Sequence, residues 1–342
     1  MRSNRRVAIT AILTILIVAF LGAYRLPYYI YKPGTADDLN PVIEVADAYP
    51  SEGEMHLVTV RGGQATPIQW LMAQFRPFHE IRPLEDVRPP GISEEEYFHA
   101  QLQLMESSQE ASKVVAYEAA GQSIDINYEG VYVVNVLEGM PAEEQLQSGD
   151  EITQVDGQDI EESSDLIDYV SDLEEGTSVT LTIVREGETI ERDISLAPFP
   201  DDPSRVGVGI SLVTDRTVEV DPPVEVKSGE IGGPSAGLMF SLEMYDQLTE
   251  EDMTKGYQIA GTGEINYEGE VGRIGGIDKK VVAADREGVD VFFAPNEGGR
   301  EGSNYEVAVQ AAEEIDTDME IVPVDTFDDA LNYLQEMEPM NG

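Results

Sequence analysis

The hydropathy pattern of the chain changes sharply after its first two dozen residues. Residues 7–24 (VAITAILTILIVAFLGAY) carry no charged side chain, and 18 residues are just enough to span a bilayer as a helix. Residues 52–62 alternate between apolar and polar positions, which is typical of a strand. Ser93 and Glu96 form a capping box at the start of a helical pattern that continues to about residue 120.

Basic residues flank the apolar run on one side only. Arg2, Arg5 and Arg6 precede it, which predicts that its N-terminal end stays in the cytoplasm. A cleaved signal peptide is the alternative, but no small-x-small cleavage site follows the run. We therefore expect residues 1–34 to form a cytoplasmic stub and a single-pass transmembrane anchor in the cell membrane. Residues 35–342 would then be extracytoplasmic.

Residues 35–120 are expected to form an N-terminal segment of the exported part. Within it, residues 67–78 (PIQWLMAQFRPF) are apolar and aromatic and are bounded by prolines. They suit a short core helix or a segment resting on the membrane surface, and we favour the core helix.

Residues 121–200 have the pattern of a compact module with four strands and one helix. The strands are predicted at 130–134, 149–155, 178–184 and 189–196, and the helix at 164–173. With the phrase GMPAEEQLQSGDEITQVDGQDI, this order resembles a PDZ domain, which implies a β-sandwich or barrel module.

The PDZ resemblance implies that this module recognises a polypeptide C-terminus or an extended segment, which adds as a strand. The loop and strand implied to bind it contain Glu129, Gly130, Val131, Tyr132 and Val133. The alternative is that the module packs only against its neighbour and binds no free peptide.

Residues 201–342 alternate between strand and helix patterns, as in an α/β or α+β domain. The strands are predicted at 206–213, 223–229, 257–262, 289–295 and 320–324, and the helices at 235–248, 279–286, 306–312 and 326–337. With the preceding segments, the chain is predicted to be an α+β multidomain protein.

The charge balance excludes some partners. The net charge is −46, and residues 1–34 hold five basic and no acidic residues, so the remainder has 16 basic against 67 acidic. Such a surface repels nucleic acid and anionic lipid headgroups.

Cysteine is absent, which removes disulfides, thiolate metal sites and cysteine nucleophiles. We expect neither a metal site nor a cofactor.

A candidate nucleophile lies in the phrase Gly233-Pro-Ser-Ala-Gly237, which fits the short G-x-S-x-G pattern. A serine hydroxyl needs a base to become a nucleophile. No histidine follows Ser235, which excludes the chain order of α/β-hydrolases. His79 and His99 precede it, but no oxyanion motif accompanies either. Lysine is the remaining type of base, and it must lose its proton through burial.

Helix phase selects one lysine among the three that follow Ser235. Lys255 lies in a polar turn, where a solvated charge is expected. In the helix predicted at 279–286, Lys280 shares an apolar face with Val281 and Ala284, whereas Lys279 is predicted to point more toward solvent.

Four ordered phrases then carry a family resemblance: IGGPSAG (231–237), AGTGEI (260–265), GEVGRIGGIDKK (269–280) and VFFAP (291–295). They resemble the proteolytic domain of Lon-type proteases, peptidase family S16. With the anchor and the PDZ-like module, the chain resembles the YlbL-like PDZ–Lon proteins of Gram-positive bacteria. These domains often form hexameric rings, and the resemblance alone suggests a homo-oligomer.

The resemblance also implies roles for individual residues. The catalytic serine falls on Ser235, the catalytic lysine on Lys280, and the threonine that would hydrogen-bond the lysine on Thr262. Gly232, Gly233 and Pro234 would support the serine, and the glycines would let backbone approach closely. ATP-dependent members commonly carry an acidic residue where this chain has Gly232.

The sequence therefore predicts a membrane-anchored serine endopeptidase with a Ser–Lys dyad, acting on polypeptides that a PDZ domain selects. No GxxxxGK[ST] phrase occurs, so the expected activity is independent of ATP. The alternatives are a catalytically silent PDZ adaptor and a Ser–Lys esterase. We also hypothesise that the strand at 54–62 belongs to the protease domain, with the long helix and the PDZ module inserted after it.

Overall fold

The computed structural model describes residues 2–88, 93–137, 139–200, 202–203 and 205–340. The α-helices of this part are α1 (Arg2–Ala23), α2 (Pro67–Ala73), α3 (Leu84–Val87), α4 (Glu94–Ala119), α5 (Ser163–Ser171), α6 (Gly237–Leu248), α7 (Ile277–Glu287), α8 (Asn304–Ile315) and α9 (Phe327–Glu336). The strands are β1 (Tyr28–Asp38), β2 (Ile43–Val45), β3 (Glu54–Gln64), β4 (Glu80–Pro83), β5 (Ser123–Val136), β6 (Glu151–Val155), β7 (Gln158–Asp159), β8 (Ser178–Arg185), β9 (Glu188–Ser195), β10 (Ala197–Pro198), β11 (Val206–Gly207), β12 (Ile210–Asp221), β13 (Val224–Val226), β14 (Gln258–Gly261), β15 (Glu264–Ile265), β16 (Val271–Gly272), β17 (Val291–Pro295) and β18 (Glu320–Val324).

The chain divides into two compact units. The first combines residues 1–124 with residues 220–342, and the second consists of residues 125–219. This division differs from the predicted boundaries in three respects. Residues 28–34 were predicted to belong to the anchor segment but form the start of β1. The segment 35–120 shares a unit with the C-terminal residues, because its strands join their sheet. The second unit also continues past residue 200, because β12 pairs with β5.

The first unit is built on a six-stranded sheet in the order β18-β17-β14-β3-β1-β4. Strands β18, β17, β14 and β3 are parallel, whereas β1 runs antiparallel to β3 and β4. The strand predicted at 52–62 is β3, which pairs with β14 so that Leu57 lies opposite Gly261. A segment far away in sequence therefore completes the sheet of the C-terminal residues.

Two cores cover the two faces of this sheet. Phe292 and Phe293 are adjacent in β17 and point to opposite faces, as successive strand residues do. Phe293 packs in a core with residues of α4, α6 and α9, among them Phe240. Phe292 packs on the other face with residues of α7 and α8, among them Val281. Helices α6 and α7 therefore belong to opposite layers.

The second unit is a sheet in the order β12-β5-β6-β8-β9, with β7 paired to β6. Its core contains Val131, Ile152, Leu181 and Ile194 from the sheet and Leu166 from α5. Because β12 and β9 stand at the ends of this order, each has a neighbour on one side only among the described strands.

The predicted anchor residues form the helix α1 (Arg2–Ala23). The side chains of residues 2–8, 10, 17 and 18 lie outside the described part of the chain. Among the residues described, no helix is both long and apolar enough to cross a membrane. The structure therefore does not support the transmembrane part of the predicted fold.

Candidate active site

A cleft of about 550 Å³ in the first unit brings together residues that are far apart in sequence. Its lining includes Ser235 from the loop before α6, Lys280 from α7, and residues of β1, β3 and α4. Ser235 is partly exposed in this cleft, as a nucleophile must be to meet a substrate. No histidine occurs among the described residues that line it.

Glycines determine the path of the serine loop. Gly233 has a φ of 93°, in the left-handed region that favours glycine. A Cβ on Gly232 would lie 2.8 Å from Cβ of Gln101 in α4, so only glycine allows this approach. The N–H of Gly233 donates to the carbonyl of Gln101 at 2.8 Å. Helix α4 therefore holds the loop in place.

The loop that carries Ser235 extends two residues further along the chain than the sequence predicts. We predicted a helix from residue 235, but α6 begins at Gly237 with Ala236 as its N-cap. Ser235 therefore stands just before the helix instead of opening it. The physical reason is the carbonyl of Ser235, which accepts from Thr262 and Gly263 instead of from within the helix.

Lys280 is the partner of Ser235. Its Nζ lies 2.7 Å from Oγ of Ser235 and 2.8 Å from Oγ1 of Thr262, and the residue is only 3% exposed. Among the described residues, no carboxylate lies within ion-pair distance of this Nζ. Burial lowers the pKa of Lys280 from 10.5 to about 7. Neutral and charged forms are therefore both populated near neutral pH.

Thr262 fixes the direction in which protons can move. It follows β14 directly and is fully buried. Its hydroxyl donates to the carbonyl of Ser235 at 2.8 Å, which uses its only proton. Oγ1 must then accept a hydrogen bond from Nζ of Lys280. In the neutral amine, the lone pair is left free to accept the hydroxyl proton of Ser235.

Two backbone N–H groups beside the serine point away from the partners of their own peptide carbonyls. The carbonyl of Pro234 accepts from Oγ of Ser108 at 3.0 Å and from the N–H of Gly237 at 3.3 Å. Because a trans peptide is planar, the N–H of Ser235 points in the opposite direction. The same argument holds for the N–H of Ala236, since the carbonyl of Ser235 faces Thr262. Both are candidates to hold an oxyanion.

The prediction for the neighbouring lysine is wrong. Lys279 was expected to point toward solvent, but it is as buried as Lys280, at 3% exposure. Its Nζ donates to Oε2 of Glu80 at 2.8 Å and to the carboxylate of Asp278 at 3.1 Å. Strand β4 supplies Glu80, a partner from a remote segment that helix phase alone cannot show.

Sequence reasoning missed the support from α4. Ser108 and Ser112 are buried on this helix, and their hydroxyls donate to the carbonyls of Pro234 and Gly237. The only sequence signal was small polar residues four apart on an otherwise apolar face. These bonds tie an inserted helix to the loop that carries Ser235.

The predicted peptide-binding strand of the second unit also needs correction. Val131 and Tyr132 lie in β5, which pairs with β6 through Ile152 and Glu151. The other edge of β5 pairs with β12. A peptide cannot add beside Glu129, Gly130 or Val133 in this strand as predicted, because both of its edges are occupied.

A groove of about 380 Å³ lies instead between α5 and the strands β11 and β12. Ile167 and Val170 of α5 line one side, and Val206, Ile210 and Leu212 line the other. Since β12 is an edge strand, a peptide could add to it here. The sequence signal is the glycine-rich phrase 206–213, whose pattern alone predicts only a strand.

The loop at the end of this groove directs backbone N–H groups outward. The carbonyls of Val208 and Gly209 accept from the N–H groups of Ala142 and Leu137. The N–H groups of Gly209 and Ile210, at the other ends of these planar peptides, point the opposite way. Gly209 has a φ of 89°, which again requires glycine. This loop suits a peptide carboxylate.

Comparisons with known proteins find two family models, one after the other along the chain. The sequence model of the PDZ domain matches residues 109–196. The sequence model of the Lon protease (S16) C-terminal proteolytic domain matches residues 212–336.

A Lon protease of Metamycoplasma arthritidis is 28% identical over 175 residues, covering 47% of this chain and 20% of that protein. A probable periplasmic serine endoprotease, DegP-like, of Pseudomonas putida is 34% identical over 125 residues, covering 31% of this chain and 26% of that protein. The chain thus spans about a quarter or less of the length of these relatives. The crystal structure of the PDZ domain of an SdrC-like protein from Listeria monocytogenes is 33% identical, covers 26% of this chain and 93% of that domain, and has a TM-score of 0.24.

Proposed function

The chain combines a PDZ domain with a Lon-type (S16) proteolytic domain, the domain of a serine-type peptidase, and we propose that it is an endopeptidase working with the pair Ser235 and Lys280. The single observation that carries this proposal is the buried Nζ of Lys280, 2.7 Å from Oγ of Ser235. Burial lowers the pKa of Lys280 to about 7, so that the amine can act as a base.

In the proposed reaction, the neutral amine of Lys280 takes the hydroxyl proton as Oγ of Ser235 attacks a peptide carbonyl. Thr262 orients the amine toward Ser235 by accepting a hydrogen bond from one of its N–H groups. The N–H groups of Ser235 and Ala236 receive the developing oxyanion. Lys280 then returns the proton to the leaving amine, which leaves an acyl-enzyme on Ser235. Water resolves this intermediate, again with Lys280 as base.

Cleavage of casein by the full chain tests this function. We expect fragments from the wild type and none from Ser235→Ala, with intact casein in both reactions at time zero. Equal cleavage by the two proteins would contradict the proposal. Cleavage of p-nitrophenyl esters without any cleavage of casein would favour the esterase alternative. A chain that binds peptide but cleaves neither substrate would be an adaptor.

ATP independence is part of the proposal. It is supported by the lack of a GxxxxGK[ST] phosphate-binding phrase among the 342 residues. We expect the rate of casein cleavage to be unchanged by ATP with magnesium. Stimulation by ATP but not by a non-hydrolysable analogue would contradict this part.

We further propose that the groove between α5 and β12 selects substrates by their C-terminal residues. Ile167 in this groove and Val134 on β5 are each 52% exposed, which makes them a matched pair. We expect Ile167→Asp to weaken binding of C-terminal peptides to the full chain and Val134→Asp to leave it unchanged. The reverse pattern would restore β5 as the binding strand. Amidation of the peptide C-terminus should weaken binding in the wild type.

We also propose that residues 7–24 attach the chain to the cell membrane, with residues 35–342 extracytoplasmic. The uncharged run and the preceding Arg2, Arg5 and Arg6 support this. After expression of the full chain, we expect it to remain in membranes washed with alkaline carbonate and to be digested by protease added to spheroplasts. Recovery in the wash, or protection from the protease, would contradict this proposal.

A further inference from the structure

A second cavity of the first unit is lined by an unusual concentration of positive charge. It has a volume of about 280 Å³ and lies between β1, β3 and α2. Its basic lining residues are Arg25, Lys32, Arg61, Arg76 and His79. We call it the basic pocket. It contains no acidic side chain among its described lining, in a chain with 67 acidic residues and 21 lysines and arginines.

These charges lack the partners that other cations of the chain have. Arg25 donates to the backbone carbonyl of Gln64 at 2.8 Å. No carboxylate of the described residues lies within ion-pair distance of Arg25, Lys32, Arg61 or Arg76. Cations elsewhere, such as Lys279 and Arg273, are paired with glutamates. The basic pocket is therefore an uncompensated positive site within an acidic protein.

The register of β1 and β3 makes the positive charge of the basic pocket destabilising when no anion is bound. Lys32 of β1 lies directly opposite Arg61 of β3, so that both side chains project from the same face of the sheet. Like charges in directly opposed positions are destabilising. Ile30 and Gly63 form the next pair on that face, and the absent side chain of Gly63 leaves space there. An anion held between the two cations would remove the repulsion.

The helix that forms one wall of this pocket presents an apolar surface to solvent. Ile68, Leu71 and Met72 of α2, together with Phe75 in the turn that follows the helix, keep the i, i+3, i+4, i+7 spacing of a single apolar face. Their exposed fractions are 46%, 55%, 44% and 82%. We call this face the α2 stripe. Met72 belongs both to the stripe and to the lining of the basic pocket, so the two surfaces are continuous.

Both surfaces lie beside the apolar N-terminal helix. Helix α1 contacts α2, and Arg25 follows the end of α1 by two residues. Leu26 donates its N–H to the carbonyl of Ala65 just before α2, which ties the end of α1 to this region. If α1 meets a membrane, the basic pocket and the α2 stripe are positioned to meet its surface.

We propose that the basic pocket and the α2 stripe together form a docking surface for a membrane that carries anionic phospholipid headgroups. The cations bind the headgroup phosphates, and the stripe enters the acyl boundary as an interfacial apolar face does. The rest of the chain is strongly acidic and is repelled by the same membrane. Attraction at one point and repulsion elsewhere fix the orientation of the unit that carries Ser235. This inference rests on the proposed membrane attachment.

The chain carries its own probe for this docking, because its single tryptophan, Trp70, lies on α2. The experiment uses the full chain in a neutral detergent. Short-chain phosphatidylglycerol, short-chain phosphatidylcholine or inorganic phosphate is titrated in at matched concentrations. We expect phosphatidylglycerol to shift Trp70 emission to shorter wavelength and to raise the Tm, and the other two to have little effect.

Variants separate docking from folding. We expect Lys32→Gln with Arg76→Gln to require on the order of 20-fold more phosphatidylglycerol, since each cation near an anionic surface contributes about fivefold. The Tm without lipid should be unchanged or higher, because the repulsion between Lys32 and Arg61 is removed. Arg300 does not line the basic pocket, and its side chain is 69% exposed. The control variant Arg300→Gln should therefore respond to phosphatidylglycerol like the wild type. Phe75→Ser should reduce the emission shift.

Three outcomes would overturn the proposal. An equal effect of inorganic phosphate would make the pocket a site for free anions. An equal effect of phosphatidylcholine would leave only an apolar contact. An unchanged response in the double variant would remove the cations from the interaction. None of these outcomes depends on casein cleavage or on retention in carbonate-washed membranes, so failure here is distinguishable from failure of the proposed function.

Discussion

Two adjacent lysines of α7 occupy opposite electrostatic environments. Lys279 and Lys280 are equally buried, at 3% exposure. The amine of Lys279 contacts carboxylates, chiefly that of Glu80 at 2.8 Å, whereas the amine of Lys280 contacts the hydroxyls of Ser235 and Thr262. Burial tends to raise the pKa of Glu80, but the hydrogen bonds from Lys279 and Arg82 outweigh it and hold that pKa below its usual value.

The comparison shows that burial alone does not make a lysine a base. A carboxylate partner favours the charged amine, whereas hydroxyl partners satisfy the amine without compensating a charge. The helix turns its two successive lysines toward β4 on one side and toward β14 and the serine loop on the other. One therefore contributes to structure, and the other is available for proton transfer.

The largest expected effect separates the two lysines by substitution. Lys280→Met should lower kcat/KM for a peptide substrate by on the order of 10³-fold or more, since a member of an interdependent catalytic pair is lost. Lys279→Met should retain activity within a few-fold and lower the Tm, because Glu80 loses the buried one of its two cationic partners and keeps only Arg82. Peptide cleavage and thermal unfolding measure both. An active Lys280→Met together with an inactive Lys279→Met would move the base by one residue.

The pH dependence of the reaction sharpens the comparison next. With a pKa of about 7, Lys280 is protonated at lower pH and can no longer accept the proton of Ser235. We expect kcat/KM to fall about tenfold per pH unit below 7, or roughly 100-fold by pH 5. Lys279→Met should show the same fall in kcat/KM below pH 7. A rate that is flat from pH 5 to 8 would contradict a neutral lysine base.

A smaller effect is expected at the threonine that orients the amine. Thr262→Val keeps the shape of the side chain but removes the bonds to Lys280 and to the carbonyl of Ser235. We expect kcat/KM to fall roughly 10- to 100-fold, the cost of one or two lost hydrogen bonds. Thr262→Ser should recover most of the rate. If serine were as poor as valine, the methyl packing and not the hydroxyl would be responsible.

The smallest effect concerns stability. Lys280 has a pKa of about 7 when folded and near 10.5 when unfolded, so the unfolded chain binds more protons between these values. The free energy of unfolding should therefore rise with pH in this window, by roughly 2–3 kcal/mol from pH 7 to 9. Burial raises the pKa of Glu243 to about 8, so this residue makes the free energy of unfolding fall with pH. Glu243 is present in both the wild type and Lys280→Met, so its contribution cancels in their difference. The difference between wild type and Lys280→Met in urea unfolding isolates Lys280, and equal slopes would contradict its low pKa.

The sequence was informative where the chemistry is local. Ser235, Thr262 and Lys280 each sit in a short phrase, and the structure brings all three within hydrogen-bond distance. Their catalytic roles stay predictions. Helix phase placed Lys280 correctly because α7 packs one face on the sheet.

The sequence was uninformative where a distant strand decides the outcome. Lys279 is buried with its amine on Glu80 of β4, a residue about 200 positions earlier in the chain. The peptide strand was misplaced because the pattern of β5 does not reveal that β12 occupies its second edge. Periodicity reports which face of an element is apolar, whereas pairing partners depend on contacts between remote segments.

The most direct test of the central claim is the titration of Lys280 itself. The chain has only six lysines, so selective ¹³C labelling of the lysine ε-carbon gives six resonances to follow by NMR. We predict that one of them titrates with a midpoint near pH 7 and that this resonance is missing from Lys280→Met but present in Lys279→Met. A Lys280 resonance that keeps the chemical shift of the charged amine up to pH 9 would contradict the account.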